Sequence, residues 1–191
     1  RNSEQGILTA QDPAGEIVID QTTFSELGRC DRGLSCAHSI YIGDFASLTV
    51  TRSRFERGNG GHYIKSSARQ VSITDNAFDD TRGRKTQYII DLPNGATGKI
   101  VRNMFVQGAS KENYSAFITV AAEGWTQSSA GLAINANEGL GMPATIRQAR
   151  QSRLPGRFVA AVGTVAPSVI EVAGDAANGL IGADIYFPAV E

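Results

Sequence analysis

The sequence predicts an all-β fold: a right-handed parallel β-helix, a solenoid of about five to seven coils with an atypical C-terminal closing segment. Three observations carry this prediction. A strand-like pattern recurs along the chain, a second strand family recurs between its copies at near-constant spacing, and aromatic or small polar residues hold the same place in successive copies.

The first family comprises Ile17-Val18-Ile19 through Phe24, Leu48-Thr49-Val50 through Phe55, Val71-Ser72-Ile73 through Phe78, Gly98-Lys99-Ile100 through Phe105, and Leu132-Ala133-Ile134 through Gly139. Alternation by twos points Ile19, Val50, Ile73, Ile100 and Ile134 to one face, as a strand with one buried side requires. Next comes Thr22, Ser53, Asn76, Asn103 or Asn137. This is a corner position, where a short polar side chain bonds backbone groups and Asn tolerates left-handed geometry. Phe24, Phe55, Phe78 and Phe105 then form an aromatic column, which Gly139 interrupts.

The second family is His38-Ser39-Ile40-Tyr41-Ile42, His62-Tyr63-Ile64-Lys65-Ser66, Tyr88-Ile89-Ile90-Asp91-Leu92 and Ala116-Phe117-Ile118-Thr119-Val120, with starts 24, 26 and 28 residues apart. That interval is one coil of a solenoid. Short polar links and longer variable loops, such as 79–87, separate the families, and loops gathered on one side are expected of stacked repeats.

Length and charge narrow the remaining possibilities. With 191 residues, the chain can bury a core without a metal or a disulfide array. Its 18 Lys+Arg against 19 Asp+Glu leave a charge of -1, which excludes nucleic acid as the expected partner. The best apolar stretch, 158–173, is broken by Gly163, Pro167 and Glu171, so no membrane span is expected. Residues 1–139 read as coils and 140–191 as a continuation or cap of the same solenoid. In the latter, Arg147, Arg150, Arg153 and Arg157 line a solvated face, and strands are expected at 158–160, 169–172 and 185–187. The chain opens on Arg1, and Gly6-Ile7-Leu8-Thr9 already reads as a strand, so an N-terminal part of the natural protein is expected upstream. Cys30 and Cys36 suit a local disulfide, with free thiols as the alternative. Such a bridge contributes about 2 kcal/mol and implies a secreted, periplasmic or cell-surface protein.

The order of strand, short link, strand, Asn-type corner, brief strand ending in Phe and variable loop resembles the pectate-lyase-like right-handed β-helix superfamily, over roughly residues 6–139. The phrases His38-Ser39-Ile40-Tyr41-Ile42 and Gly61-His62-Tyr63-Ile64-Lys65-Ser66 are also similar to those of bacterial right-handed β-helix repeat proteins. In the pectate-lyase-like superfamily the strand after the variable loops commonly floors a substrate groove.

If Ile40, Ile64, Ile90 and Ile118 point inward, Tyr41, Lys65, Asp91 and Thr119 form an outward column. At about 4.8 Å per coil, the Tyr41-Lys65-Asp91 stripe is roughly 10 Å long. The resemblance implies that this stripe is the groove floor, and the flanking Arg69, Arg82, Arg84 and Lys85 are residue types that meet an acidic sugar. Uronate β-elimination needs a carboxylate neutraliser, a base and an acid, which makes Lys65, Tyr41, Asp91 and His62 the candidate catalytic residues. Asp91 one coil away favours the charged form of Lys65, so charge stabilisation suits that lysine better than proton abstraction. His38, His62 and Tyr88 carry inward parity and read as a stack near a corner. Ile89 and Phe117 read as an outward apolar patch. Glycoside hydrolysis needs two carboxyl groups, and only Asp91 sits on the stripe. No acidic cluster suggests calcium, so neither a metal nor another cofactor is expected. The glycines of the 56–61 loop read as tight turning.

The expected function is therefore that of an extracytoplasmic protein that binds or cleaves an acidic polysaccharide. If it is an enzyme, a polysaccharide lyase is expected over a glycoside hydrolase. The alternative is a non-catalytic structural or adhesive solenoid, including a homo-oligomer.

Overall fold

Short apolar runs bounded by bends form strands of two to nine residues, and among the described residues every pairing between these strands is parallel. The computed structural model describes residues 4–137 apart from 34, 114 and 136, and the backbone at 138–139, 159–160 and 181–182. The described residues contain no helix. Contacts divide the chain into two units, Arg1–Asn137 and Glu138–Glu191.

In the first unit three parallel sheets make the walls of a β-solenoid of about four turns. The first wall stacks β1 (Ile7–Leu8), β4 (Ile40–Ile42), β7 (Ile64–Ser66), β10 (Ile90–Leu92) and β13 (Ile118–Val120). The second stacks β2 (Asp12–Asp20), β5 (Phe45–Thr51), β8 (Gln70–Thr74), β11 (Thr97–Val101) and β14 (Ala133–Asn135). The third stacks β3 (Thr23–Ser25), β6 (Arg54–Glu56), β9 (Ala77–Asp79) and β12 (Met104–Val106). Of the five to seven coils expected, those after residue 139 lie outside the described residues.

The registers align the repeat residue for residue. Ile19 faces Val50, Val50 faces Ile73, Ile73 faces Ile100, and Ile100 faces Ile134. Ile40, Ile64, Ile90 and Ile118 form the matching column on the first wall. Phe24, Phe55, Phe78 and Phe105 stack with ring centroids 4.8, 4.8 and 5.2 Å apart. Each offset-stacked pair contributes about 0.5–1.5 kcal/mol beyond its buried area.

Side-chain amides carry the hydrogen bonding around the corner where the second wall meets the third. The amides of Ser53, Asn76 and Asn103 donate to Oδ1 of Asn76, Asn103 and Asn137 at 2.9, 3.0 and 2.9 Å. Nδ2 of Asn76, Asn103 and Asn137 donates in turn to the carbonyls of Val50, Ile73 and Ile100. The left-handed geometry expected of these corner residues falls one place earlier, at Gln21, Arg52, Asp75 and Arg102, with φ of 49°, 48°, 60° and 55°. The residue before the Asn makes the turn, and the Asn fills it.

One expectation about side-chain direction fails. Ile89 is fully buried, and Phe117 packs into the core and stacks on Phe105 at 5.5 Å, so these residues form no outward apolar patch. The reason is a bend at Tyr63, Ile89 and Phe117, immediately before each strand begins. Alternation does not carry across a bend, and the residue at the bend and the one after it both turn inward.

Cys30 and Cys36 form a disulfide with Cα atoms 4.3 Å apart, closing the turn between Arg29 and Ala37, which pair antiparallel. No helix among the described residues is long and apolar enough to cross a membrane. In the second unit β15 is Glu138–Gly139, and β16 (Val159–Ala160) pairs in parallel with β17 (Ile181–Gly182). β16 lies inside the strand expected at 158–160. The arginine series and the strands expected at 169–172 and 185–187 lie outside the described residues.

The corner ladder makes a quantitative prediction. Asn76→Ala leaves the Ser53 amide and the Val50 carbonyl unpaired inside the stack, costing on the order of 2–3 kcal/mol. Urea unfolding should show that loss, with a much smaller one for Arg102→Ala on the exposed side of the same corner.

Candidate functional site

Lys65 is drawn into the first wall by the register that places it between Tyr41 and Asp91. The expected column exists, with Thr119 beyond Asp91, yet it is not an open stripe. Lys65 is 9% and Asp91 3% exposed. The covering element is the segment after β13. The chain turns at Ala121, where φ is 57°, and continues as a strap beside the link that follows β10, from which the Glu123 and Gln127 side chains reach one coil further back. Its backbone amides at Ala121, Glu123 and Gln127 donate to the carbonyls of Leu92, Pro93 and Asn94, and Gln127 Nε2 donates to Ser67 O at 2.7 Å.

The strap delivers Glu123, two coils on from Lys65, to the lysine ammonium. Lys65 Nζ also lies 3.2 Å from Asp91 Oδ2 and 5.8 Å from the centre of the Tyr41 ring. Asp91 in turn accepts a 2.8 Å hydrogen bond from Thr119 Oγ1. Burial works against charge on Lys65, but the Glu123 hydrogen bond and the Asp91 charge outweigh it and hold its pKa above the ordinary lysine value. The amine stays protonated and cannot act as a base.

The two histidines follow a different logic. His38 and His62 stack 4.9 Å apart, and His62 stacks on Tyr88 at 5.6 Å. His38 Nδ1 accepts the His62 amide at 2.9 Å, and His62 Nδ1 accepts the Tyr88 amide at 3.1 Å. A neutral ring whose Nδ1 accepts must carry its proton on Nε2. His62 Nε2 lies 3.4 Å from Asp91 Oδ2, so His62 turns toward the column and not inward as its parity implied. The same bend at Tyr63 is responsible, since it reverses the side-chain direction between His62 and Ile64. As arranged, neither ring offers a free basic nitrogen. Gly61 makes the close stacking of the two segments feasible: its φ is 65°, and a Cβ there would sit 2.2 Å from Ala37 O.

The four basic loop residues do not converge on this cluster. Arg69 makes a two-pronged pair with Asp44 at 3.1 and 3.0 Å, beside a cleft of about 420 Å³ lined by both residues and by Thr97, Thr126, Gln127 and Ser128. Arg84 and Lys85 line a larger cleft, about 770 Å³, whose charged lining includes Glu4, Glu26, Asp31, Glu112 and Arg29 and so has no positive excess. Arg82 is exposed on the same loop, and among the described residues Arg82, Arg84 and Lys85 form no ion pair.

A second Lys-Asp cluster escaped the sequence reading. Lys111 Nζ lies 3.2 Å from Asp80 Oδ2, and both side chains are wholly inaccessible. Tyr63 Oη donates to Asp80 Oδ1 at 2.7 Å, Thr86 Oγ1 donates to the same carboxylate, and Lys111 donates to Thr86 Oγ1. Burial lowers the Lys111 pKa more than Asp80 restores it. This network ties the variable loops to the stack, and its four residues line neither of these two clefts. Its available signal was coil-length spacing, since Thr86 bridges both Gly61 and Lys111, each 25 residues away. Among the described residues no group of three or more His, Cys, Asp or Glu is placed to hold a metal ion.

The histidine column predicts acid sensitivity. Burial, reinforced by neighbouring positive charge, pushes His62 down to about 4 and His38 to about 3, from an ordinary 6.5. Between pH 6.5 and about 4 the unfolded chain binds protons that the folded chain refuses. Stability therefore falls as pH drops through that window, by up to ~1.4 kcal/mol per pH unit for each ring. Urea midpoints measured across the range should show this slope, and His38→Asn, which keeps an acceptor but does not titrate, should reduce it. An unchanged slope in that variant would contradict the assignment.

The chain matches no protein-family model, no curated protein and no solved structure.

Proposed function

We propose that this protein is an extracytoplasmic β-solenoid that binds an acidic polysaccharide along the wall formed by β4, β7, β10 and β13, without cleaving it. The observation that carries the reading is the asymmetry of the two carboxylates on Lys65. Asp91 is buried and held by Thr119, whereas the Glu123 side chain is 60% exposed at the outer end of a loop. A uronate carboxylate arriving from solvent can take the place of Glu123 on an ammonium that is already desolvated, oriented and charged. The inner pair stays intact throughout the exchange.

Binding is favoured over β-elimination because neither Lys65 nor an imidazole of the wall is free to take a proton, and both carboxylates are engaged by the Lys65 ammonium. Lys65 is held protonated, and both imidazoles commit Nδ1 to backbone amides. Tyr41 remains a contact residue, packed edge-on against His38 at 5.5 Å. Membership of the pectate-lyase-like right-handed superfamily is supported by coil length, the Asn ladder and the Phe column. A location outside the cytoplasm, secreted, periplasmic or on the cell surface, is supported by the Cys30–Cys36 disulfide.

Affinity electrophoresis against polygalacturonate and alginate at low salt tests the reading. Lys65→Met should weaken binding by about tenfold or more, and Glu123→Gln should strengthen it several-fold by removing the internal competitor. Ultraviolet absorbance should show no unsaturated product. Indifference of binding to both substitutions would refute the site, and no binding at all would return the chain to the structural or adhesive reading.

A further inference from the structure

The strap carries a second feature that the Lys65 contact does not use. Trp125, the chain's sole tryptophan, is 89% exposed. A large indole in water forgoes the burial that usually places it in a core or an interface. The strap nevertheless holds it out while anchoring both sides of it, through the Glu123 amide on Pro93 O at 2.9 Å and the Gln127 amide on Asn94 O at 3.0 Å. The indole is presented on a tethered segment.

Immediately beyond it Thr126, Gln127 and Ser128 line the 420 Å³ cleft with Asp44, Arg69 and Thr97. Trp125 is joined directly to Thr126 of that lining, and its own side chain stands in solvent outside the cleft wall. The volume falls within the roughly 300–1,000 Å³ of small-molecule sites. Every lining residue carries a polar group alongside its carbon stem, and the Arg69-Asp44 pair fixes a fork of donors beside a carboxylate of acceptors. Leu8, Val18, Met104 and Ile134, the other exposed large apolar side chains among the described residues, lie neither on the strap nor in the cleft. One isolated aromatic beside hydrogen-bonding groups does not match an apolar protein interface. It matches a pyranose ring, which has an apolar C–H face and an edge of hydroxyls.

We propose that Trp125 and this cleft form a sugar-ring subsite separate from the carboxylate contact at Lys65. The indole packs on the C–H face of a pyranose, while Asp44, Arg69, Thr126 and Gln127 hydrogen-bond its hydroxyls. The subsite requires no acidic group on the sugar, so it goes beyond the acidic-polysaccharide reading and does not depend on it.

The sole tryptophan is its own reporter. Titrating the protein with neutral cello-, manno- and galacto-oligosaccharides and with oligouronates should give a saturable change in indole emission for at least one series. Arg69→Ala should weaken that response by about tenfold, whereas Arg102→Ala, on the exposed corner between the second and third walls, should leave it intact. Calorimetry with the same sugar should show at least a tenfold loss for Trp125→Ala and partial retention for Trp125→Phe, with unchanged circular dichroism in both. Emission that stays constant with every sugar, or Trp125→Ala binding as tightly as the parent, overturns the subsite. If only Lys65→Met weakens polyuronate binding, the subsite fails and the acidic reading stands. If only Trp125→Ala weakens binding, the acidic reading fails and the subsite stands.

Discussion

Parallel strands that stack in exact register satisfy their backbone within the walls, but each coil must also bend, and at a bend the ladder is interrupted. Buried amides left without acceptors at those bends would unmake the stack. This chain meets the constraint with side chains that imitate carbonyls. At one corner the Asn oxygens accept from the coil before, and at the opposite end of the first wall the imidazole Nδ1 atoms accept from the coil after. Ser53 plays the same part for Thr22, at 3.1 Å. The two ladders run in opposite directions along the stack and hold neighbouring coils from both ends of the shared walls. The apolar columns supply the burial, and these polar columns keep adjacent coils in one alignment.

That alignment is what brings chemistry together. Lys65 and Glu123 are 58 residues apart and meet because two intervening coil boundaries are locked in register. The two Lys-Asp clusters show how burial alone separates a structural ion pair from an accessible one. The Lys111 side chain has no exposure and a single carboxylate, so desolvation prevails and its pKa falls. Lys65 has two carboxylates and one open side, so its charge is retained. An enclosed pair of the first kind holds loops in place. A pair of the second kind has an outer partner that can be exchanged.

Much of the scaffold was legible in the residues because a solenoid repeats its physics once per coil. Ile, Asn and Phe positions recur at coil length, and each recurrence names a column. The site was only half legible. Tyr41, Lys65 and Asp91 share a column as alternation requires, and the proximity of Lys65 and Asp91 followed from that. The direction of His62, and the burial of Ile89 and Phe117, could not follow, because alternation holds within a strand and fails across the bends before Ile64, Ile90 and Ile118. Arg69, Arg84 and Lys85 were grouped by residue type, whereas their links and loops lead to two separate clefts.

The sequence by itself determined that the chain builds stacked parallel coils, with the second strand family starting every 24 to 28 residues from His38 onward, that Asn and Phe line two of its columns, and that Cys30 lies close enough to Cys36 to bridge. These are consequences of local pattern and short spacing. Only the tertiary structure decided that the segment after Val120 lies along the link after β10, reaches the Lys65 column with Glu123 and holds Trp125 in solvent. The physical reason is that a loop's path depends on which distant carbonyls it finds, here Leu92, Pro93, Asn94 and Ser67. No periodicity within the loop encodes those partners.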